Sequence, residues 1–242
     1  MDIKHLDFLE IFMPRLPMCI ICRERTPYGC GFRGEENICI CNDCMEKIDK
    51  YSSPAVFKGK TDLKYYLCSF PYTGVLREAF IRYKFFGERA YAEIFSQFMI
   101  DCIKEFWHDG DFDLIVPVPL SAERMTERGY NQAALLAQRV AEALDTEYSE
   151  EVLFRIINTR RQSELSYEER SINIKDAFSA RGMQLKGKSV LLVDDVYTVG
   201  ATMRECAKTL REAGAAKIAG LALFKSVSPE IKNKKEYTFE KD

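Results

Sequence analysis

Residues 190–202, with the sequence VLLVDDVYTVGAT, constrain the possible fold more than any other part of this chain. Four aliphatic residues predict a buried strand that ends at Val193. The carboxylates of Asp194 and Asp195 follow it, and we expect both to be exposed. A short loop of small and hydroxyl residues then leads into a predicted helix from Met203. A strand joined in this way to a helix is the repeating unit of α/β proteins.

The sequence between residues 64 and 225 continues the same alternation. The clearest helix carries an apolar stripe with a spacing of three and four residues, made of Ala133, Leu136, Ala137, Val140, Ala141 and Leu144. Further strands are predicted at 65–70, 114–118 and 218–224, and further helices at 75–83, 91–107 and 203–213. Strands that alternate with helices in this order predict an α/β fold with a mostly parallel sheet.

The loop at 198–202 has the residue types of an anion site. Ligands of open α/β sheets bind beyond the carboxyl ends of the strands. This loop would offer a phosphate backbone N–H groups, hydroxyl groups and the positive end of a helix. Its residues are Thr198, Val199, Gly200, Ala201 and Thr202. No Gly-Lys-Ser/Thr follows, so the loop is not a Walker motif.

The acidic pair before the loop admits two interpretations. Asp194 and Asp195 can accept hydrogen bonds from sugar hydroxyl groups, or help to hold a hydrated magnesium ion. Alternatively, they only favour the dipole of the following helix. The combined order of apolar run, acidic pair and Thr-x-Gly-x-Thr favours the ligand interpretation.

Six of the nine cysteines lie between residues 19 and 44. Cys19, Cys22, Cys41 and Cys44 form two C-x2-C pairs separated by 18 residues, a spacing that suits tetrahedral Zn²⁺. Because four thiolates would fill the coordination sphere, the predicted zinc is structural. A disulfide-bonded cluster is the alternative, and the lack of a signal-peptide pattern argues against it. The remaining cysteines are interpreted as buried packing residues: Cys30, Cys39, Cys68, Cys102 and Cys206.

Several motifs together resemble a known family. Residues 190–202 resemble the phosphoribosyl-pyrophosphate signature of type I phosphoribosyltransferases. The two C-x2-C pairs, VPVPL at 116–120 and RGYNQ at 128–132 resemble, more narrowly, the ComF (ComFC) family of competence-associated proteins. Later residues add to the likeness: Arg161, Gln162, Leu165, Arg170, Asn173 and Phe178. The resemblance covers almost the whole chain and implies a type I phosphoribosyltransferase-like domain behind a small zinc ribbon.

By this resemblance, Asp194 and Asp195 are the catalytic residues. They would bind the 2′ and 3′ hydroxyl groups of phosphoribosyl pyrophosphate (PRPP), with magnesium as the companion ion. Residues 198–202 would hold the 5′-phosphate. One departure is Val199, because many members of the superfamily place a second hydroxyl residue there.

The same resemblance assigns the pyrophosphate group to the loop after Val118, including Leu120. Arg124 and Arg128 are the candidate charge partners, since arginine can hold a phosphate through two parallel hydrogen bonds. For Arg124 a purely structural role is equally consistent with the sequence, whereas for Arg128 we favour the functional one. Asn131 is typical of a residue that caps the following helix.

Two further segments are candidates for the same site. By the same resemblance, the charged stretch at 158–170, with Arg160, Arg161 and Gln162, would be a mobile loop that covers the site. As a run of charges it is also typical of a solvated surface. Lys84, which precedes Phe85-Phe86-Gly87, is a candidate that would reach toward the cleft.

The sequence predicts two units and a cytoplasmic location. Residues 1–53 include the zinc ribbon at 19–50, and residues 54–242 form the phosphoribosyltransferase-like domain, with a charged tail after residue 226 that we expect to be mobile. The formal net charge of −2 gives no overall basic field for nucleic acid. No apolar run is long enough for membrane insertion.

Two functions are therefore expected. The first is an enzyme that binds PRPP with magnesium and transfers or releases the phosphoribosyl group. With His5 and His108 as the only histidines, an imidazole base is not evident, which fits a nucleophile supplied by the substrate. The second is a non-catalytic DNA-uptake accessory that senses the ligand and contacts single-stranded DNA or a helicase-like partner. The ribbon's five basic and six acidic residues argue against strong DNA binding by the ribbon alone.

Overall fold

The computed structural model describes residues 16–26, 30–34, 37–49, 55–58, 62–108, 110–157 and 174–226. The predicted covering loop with Gln162 and the tail after residue 226 lie outside these residues. In the part of the chain that is described, no helix has both the length and the apolar character needed to cross a membrane.

Ten strands and six helices are named in the described ranges. In chain order they are β1 (Met18–Cys19), β2 (Cys30–Arg33), β3 (Ile38–Cys41), α1 (Asn42–Asp49), β4 (Ala55–Lys58), β5 (Tyr65–Pro71), α2 (Gly74–Phe85), α3 (Tyr91–Phe106), β6 (Leu114–Pro117), α4 (Ala122–Arg128), α5 (Gln132–Leu144), β7 (Leu153–Arg155), β8 (Phe178–Ala180), β9 (Ser189–Tyr197), α6 (Ala201–Glu212) and β10 (Lys217–Lys225).

A five-stranded sheet with the order β4-β5-β10-β9-β6 forms the centre of the fold. Strands β5, β10, β9 and β6 are parallel, and β4 is antiparallel to β5 at one edge. The register places Leu192 of β9 beside Gly220 on one side and Val116 on the other. The predicted α/β fold with a mostly parallel sheet is confirmed.

Side chains of β9 alternate between the two faces of the sheet, as they must in a strand. Leu191 and Val193 join the hydrophobic cluster that helices α2, α3 and α5 cover, while Val190 and Leu192 join the cluster beneath α6 and the β7–β8 pair. Because both faces of the sheet are covered, apolar residues follow one another along the buried part of β9 instead of alternating with polar residues.

The prediction that this strand ends at Val193 is wrong. Strand β9 continues to Tyr197, because the neighbouring β10 is long enough to pair with it throughout: Asp194 lies opposite Ala222, and Val196 opposite Phe224. Both aspartates therefore belong to the sheet itself, not to the loop that follows it.

The cysteine-rich segment folds as a three-stranded sheet with the order β1-β3-β2, followed by α1. Its buried residues Ile20, Ile40 and Ile48 belong to the same hydrophobic cluster as Phe80 and Tyr83 of α2. The segment thus packs directly onto the α/β part of the chain. A division into two units at residue 53 stays a prediction.

Candidate functional site

A cleft of about 440 Å³ opens where the parallel strands end. Tyr72 follows β5, Val118 follows β6 and Ser226 follows β10, and all three line the cleft together with Val196 near the end of β9. This edge is where open α/β sheets generally bind ligands. The topology therefore places a candidate site at the carboxyl end of β9.

Most of the side chains predicted to bind the ligand meet in this cleft. They are Lys84, Leu120, Arg124, Arg128, Asp194, Asp195, Thr198 and Thr202. Val199, Gly200 and Ala201 do not line the cleft, although they connect Thr198 to Thr202. Their roles as ligand residues stay predictions.

The two aspartates have different environments because adjacent residues of a strand point in opposite directions. Asp195 is 8% exposed, and Lys84 Nζ lies 2.5 Å from its Oδ2 atom. The prediction that both carboxylates are exposed is wrong for Asp195, which the end of α2 covers through Lys84. Lys84 is thereby confirmed as a residue of the cleft.

Asp194 is partly exposed and carries the more perturbed carboxyl group. Burial and, second, the charge of Asp195 raise the pKa of Asp194 to about 7, although its Oδ1 accepts a hydrogen bond of 2.8 Å from the N–H of Asp195. Like charges at close range and a low dielectric both disfavour ionisation. Both causes therefore favour the protonated form of Asp194.

Three arginines face the acidic pair across the cleft. Arg124 and Arg128 extend from α4, and Arg155 ends β7. Nη1 of Arg128 donates a hydrogen bond of 2.9 Å to Oε1 of Gln132, and its guanidinium lies 5.4 Å from the centre of the Phe85 ring. Burial lowers the pKa of Arg128, and burial lowers that of Arg155 to about 10. Arg128 and Arg155 stay positive at neutral pH.

Sequence reasoning missed Arg155. No motif surrounds it, and only the antiparallel pairing of β7 with β8 brings it to the cleft, through the contact of β8 with α6. The aromatic residues Tyr72 and Phe85 also line the cleft and were missed. In the sequence, Phe85 stands out only as a neighbour of Lys84, and nothing near Tyr72 indicates a binding role.

Capping interactions hold the loop between β6 and α5 in place. Oδ1 of Asn131 accepts a hydrogen bond of 3.1 Å from the N–H of Ala133, and its Nδ2 donates one of 3.1 Å to the carbonyl of Val118. The predicted capping role of Asn131 is confirmed. The same side chain also ties the loop after β6 to the start of α5.

The turn between β9 and α6 requires glycine at position 200. Gly200 has φ +73°, a left-handed conformation, and a Cβ atom there would collide with the side chain of Tyr197. Nη1 of Arg204 donates a hydrogen bond of 2.7 Å to the carbonyl of Val199 and braces the same turn. The turn is thus fixed so that Thr198 and Thr202 both reach the cleft.

The four predicted metal ligands converge at a second location. The Sγ atoms of Cys19, Cys22, Cys41 and Cys44 all lie within 4.8 Å of one another, and those of Cys22 and Cys41 are 3.9 Å apart. A tetrahedron with metal–sulfur bonds of about 2.3 Å has sulfur–sulfur edges of about 3.8 Å. The cluster therefore fits one tetrahedral metal ion, and neither Cys30 nor Cys39 belongs to it.

Comparisons with known proteins agree with this architecture. The phosphoribosyl transferase domain family matches residues 130–241. Competence protein ComFC of Bacillus subtilis (strain 168) is 31% identical over 228 residues, which cover 90% of this chain and 88% of the relative. The chain belongs to the ComF (ComFC) family. ComFC of Streptococcus pneumoniae is 28% identical over 229 residues, which are 86% of this chain and 99% of that protein.

Among solved structures, the chain matches the glutamine PRPP amidotransferase of B. subtilis. It is 21% identical, with a TM-score of 0.38, and the match covers 59% of this chain and 30% of the amidotransferase. Family membership and the matched domain together confirm the type I phosphoribosyltransferase-like fold of this ComF-family chain.

Proposed function

We propose that this ComF-family protein binds PRPP together with Mg²⁺ in the cleft and transfers or releases the phosphoribosyl group. One observation carries the proposal. An acidic pair, a tight turn at a helix N-terminus and four basic side chains converge on a single cleft at the end of a parallel sheet. Few ligands other than a sugar with phosphates at both ends would use all three.

The proposed roles follow the chemistry of each group. Asp194 and Asp195 would accept hydrogen bonds from the ribose hydroxyl groups, with Asp195 shared between the sugar and Lys84. The turn before α6 together with the first residues of that helix, from Thr198 to Thr202, would hold the 5′-phosphate through backbone N–H groups and hydroxyl groups. Mg²⁺, when bound, would neutralise part of the pyrophosphate charge, and Asp194 would help to orient its hydration shell.

The reaction would break the bond between the anomeric carbon and a pyrophosphate oxygen, and it would form a bond from that carbon to the nucleophilic atom of an acceptor, or to the oxygen of water where the group is released. Negative charge grows on the leaving pyrophosphate, and Arg124, Arg128 and Arg155 would stabilise it in a cleft where burial strengthens electrostatic interactions. A proton released by the acceptor would pass to Asp194, since burial and the charge of Asp195 raise the pKa of this carboxyl group above its usual value.

We also assign the cysteine cluster to one structural Zn²⁺ ion. The donor set of four thiolates is the one that structural zinc sites use, and the sulfur separations suit its bond length. Cys19, Cys22, Cys41 and Cys44 would fill the coordination sphere, which leaves no position for a reacting water.

Calorimetric titration of PRPP and of ribose 5-phosphate tests the ligand assignment. Arg128→Ala should weaken PRPP binding at least about tenfold, the loss of one charge-assisted contact of about 1.5 kcal/mol. It should spare ribose 5-phosphate, which carries no pyrophosphate. Arg181→Ala, at an exposed arginine that does not line the cleft, is the matched control and should change neither affinity. Failure of the wild-type protein to bind PRPP with magnesium present would sink the proposal.

The names of the relatives favour a second function. ComFC of B. subtilis and of S. pneumoniae are both named competence proteins, so a non-catalytic accessory to DNA uptake is the alternative. Such a protein would sense the ligand in the cleft and contact single-stranded DNA or a helicase-like partner. Steep salt dependence of DNA binding without pyrophosphate release would favour it. Pyrophosphate release in the presence of a nucleobase or an amine would favour the enzyme.

A further inference from the structure

Helix α2 contacts the cysteine cluster through Arg82. Nη2 of Arg82 donates a hydrogen bond of 3.0 Å to the carbonyl of Ile21 and another to the carbonyl of Ile20. These two residues lie between Cys19 and Cys22, in the turn that presents two of the four thiolates. The partly buried guanidinium of Arg82 therefore binds the backbone of this C-x2-C turn from outside, while a metal ion would hold the turn from inside through its thiolates.

The same turn of α2 contacts the cleft through Lys84. Residues two apart in an α-helix are rotated by about 200°, so Arg82 and Lys84 project from nearly opposite sides of α2. Nζ of Lys84 lies 2.5 Å from Oδ2 of Asp195. The last turn of α2 thus stands between the cysteine cluster and the acidic pair.

Hydrogen bonds link this turn of α2 to α5. Oη of Tyr83 donates a hydrogen bond of 2.9 Å to the carbonyl of Gln132, and Nε2 of Gln132 donates one of 3.3 Å to the carbonyl of Lys84. Gln132 also accepts the hydrogen bond from Arg128. A displacement of Arg82 would therefore be transmitted to Lys84 and to the basic side of the cleft.

We propose that Arg82 is a positioning residue that couples metal occupancy of the cysteine cluster to the placement of Lys84 in the cleft. The inference rests on the proposed function for the ligand and on the four-cysteine cluster for the metal. Without the metal, the carbonyls of the Cys19–Cys22 turn lose their fixed orientation, Arg82 loses its two acceptors, and the end of α2 shifts. Lys84 then separates from Asp195, and the ligand site loses its arrangement. Coupling of this kind is reciprocal, so bound ligand should also slow metal loss.

The reactivity of the Lys84 amine measures this coupling without any ligand. The ion pair with Asp195 protects the amine from an acylating reagent, and mass spectrometry reports the rate at each lysine. At 25 °C, removing the metal by chelation should raise the labelling rate of Lys84 at least about fivefold, the lower end of typical coupling between sites. Lys188, which pairs with Glu147 at 2.6 Å, is the internal reference and should not change.

Arg82→Ala separates positioning from general stability. With its metal retained, this variant should already label Lys84 at the raised rate, and chelation should add less than about twofold. Arg82→Lys can reach one carbonyl and should give an intermediate rate. It also replaces the alanine variant if that one fails to fold or to hold metal. Glu78→Ala, at an exposed position one turn earlier in α2, is the matched control and should behave as wild type.

Two results would overturn the inference. One is equal labelling of Lys84 in wild type and Arg82→Ala when both hold metal. The other is a parallel rise at Lys84 and Lys188 on chelation, which would mean general unfolding. PRPP titration of the same proteins gives an independent result. If wild type does not bind PRPP yet the labelling follows the expected pattern, the coupling stands and the proposed function fails.

Discussion

Asp194 and Asp195 are neighbours in sequence, but their side chains contribute to the fold in opposite ways. Asp195 forms a mostly buried ion pair with Lys84. Among the described residues, no cation lies within hydrogen-bonding distance of the Asp194 carboxylate. The pKa of Asp194 is raised to about 7. The charged form of Asp195 therefore stabilises the folded state. The charged form of Asp194 destabilises it, and a bound ligand would reduce this destabilisation.

This difference predicts how Asp194→Asn alters stability with pH. The pKa of Asp194 rises from 3.8 in an unperturbed carboxyl group to about 7 in the folded protein, so the wild type loses stability as pH increases through that window. Asparagine keeps the shape without the charge. Asp194→Asn should therefore melt above wild type at pH 8, with a difference that disappears as pH falls toward 4. Thermal unfolding across this range measures it.

Asp195→Asn is the matched variant and should have the opposite effect. It leaves the ammonium group of Lys84 mostly buried without its carboxylate, which should lower the free energy of unfolding by about 1.5–3 kcal/mol at pH 8. Both variants should weaken PRPP binding. Equal melting temperatures of the two variants at pH 8 would show that the environments of the two aspartates do not differ as described.

At the scale of elements, the turn between β9 and α6 depends on Gly200. Gly200→Ala would place a Cβ atom in a left-handed backbone conformation and against the side chain of Tyr197. We expect it to lower the melting temperature and to weaken PRPP and ribose 5-phosphate by the same factor, because both would use the 5′-phosphate site. Calorimetry with both ligands measures the ratio.

Gly187→Ala provides the control for backbone strain alone. Gly187 has φ +76°, but a Cβ atom there meets no other atom within 4 Å. It should cost about 1–2 kcal/mol of stability, the penalty for a left-handed residue, and leave both ligand affinities unchanged. If Gly200→Ala behaved in the same way, the turn would have no role in phosphate binding.

The elements that could be predicted from sequence are those with local signals. The apolar stripe of α5 and the aliphatic run of β9 can each be recognised from a segment of about a dozen residues. The extension of β9 through Asp194 to Tyr197 does not, because polar residues remain in a strand only when a long neighbour such as β10 pairs with them. Likewise, the partner of Asp195 lies 111 residues earlier in the chain, and Arg155 reaches the cleft through a strand of only three residues.

The cysteine cluster gives a prediction about the two C-x2-C turns. Cys22→Ser should abolish metal binding and destabilise the small sheet of β1 to β3, because such units owe much of their stability to the metal. Cys39→Ser, at a buried cysteine outside the cluster, should keep one metal ion per chain. Metal analysis of both purified variants measures this. Full occupancy in Cys22→Ser would instead favour Cys30 or Cys39 as a ligand.

At the scale of the whole molecule, the hydrophobic cluster joins the cysteine-rich sheet to the α/β part. Ile20 and Ile48 share this cluster with Phe80 and Phe95 of helices α2 and α3. The two hydrogen bonds of Arg82 add a polar link across the same contact. Two packed parts that share one core are expected to unfold cooperatively, since neither can open without exposing the apolar surface of the other.

Metal removal should therefore destabilise residues far from the cysteines, and Trp107 can report it. It is the single tryptophan of the chain, follows α3 and packs 4.8 Å from the ring of Phe112, well outside residues 19–50. Chelation should lower the melting temperature seen by Trp107 fluorescence by about 5 °C or more, since each kcal/mol is worth about 2–4 °C in a chain of this size. Circular dichroism should give the same midpoint. The opposite result is a Trp107 transition that stays at its original temperature after chelation, with the cysteine-rich sheet lost in a separate, earlier transition. That result would contradict a shared core and favour two independent units divided near residue 53.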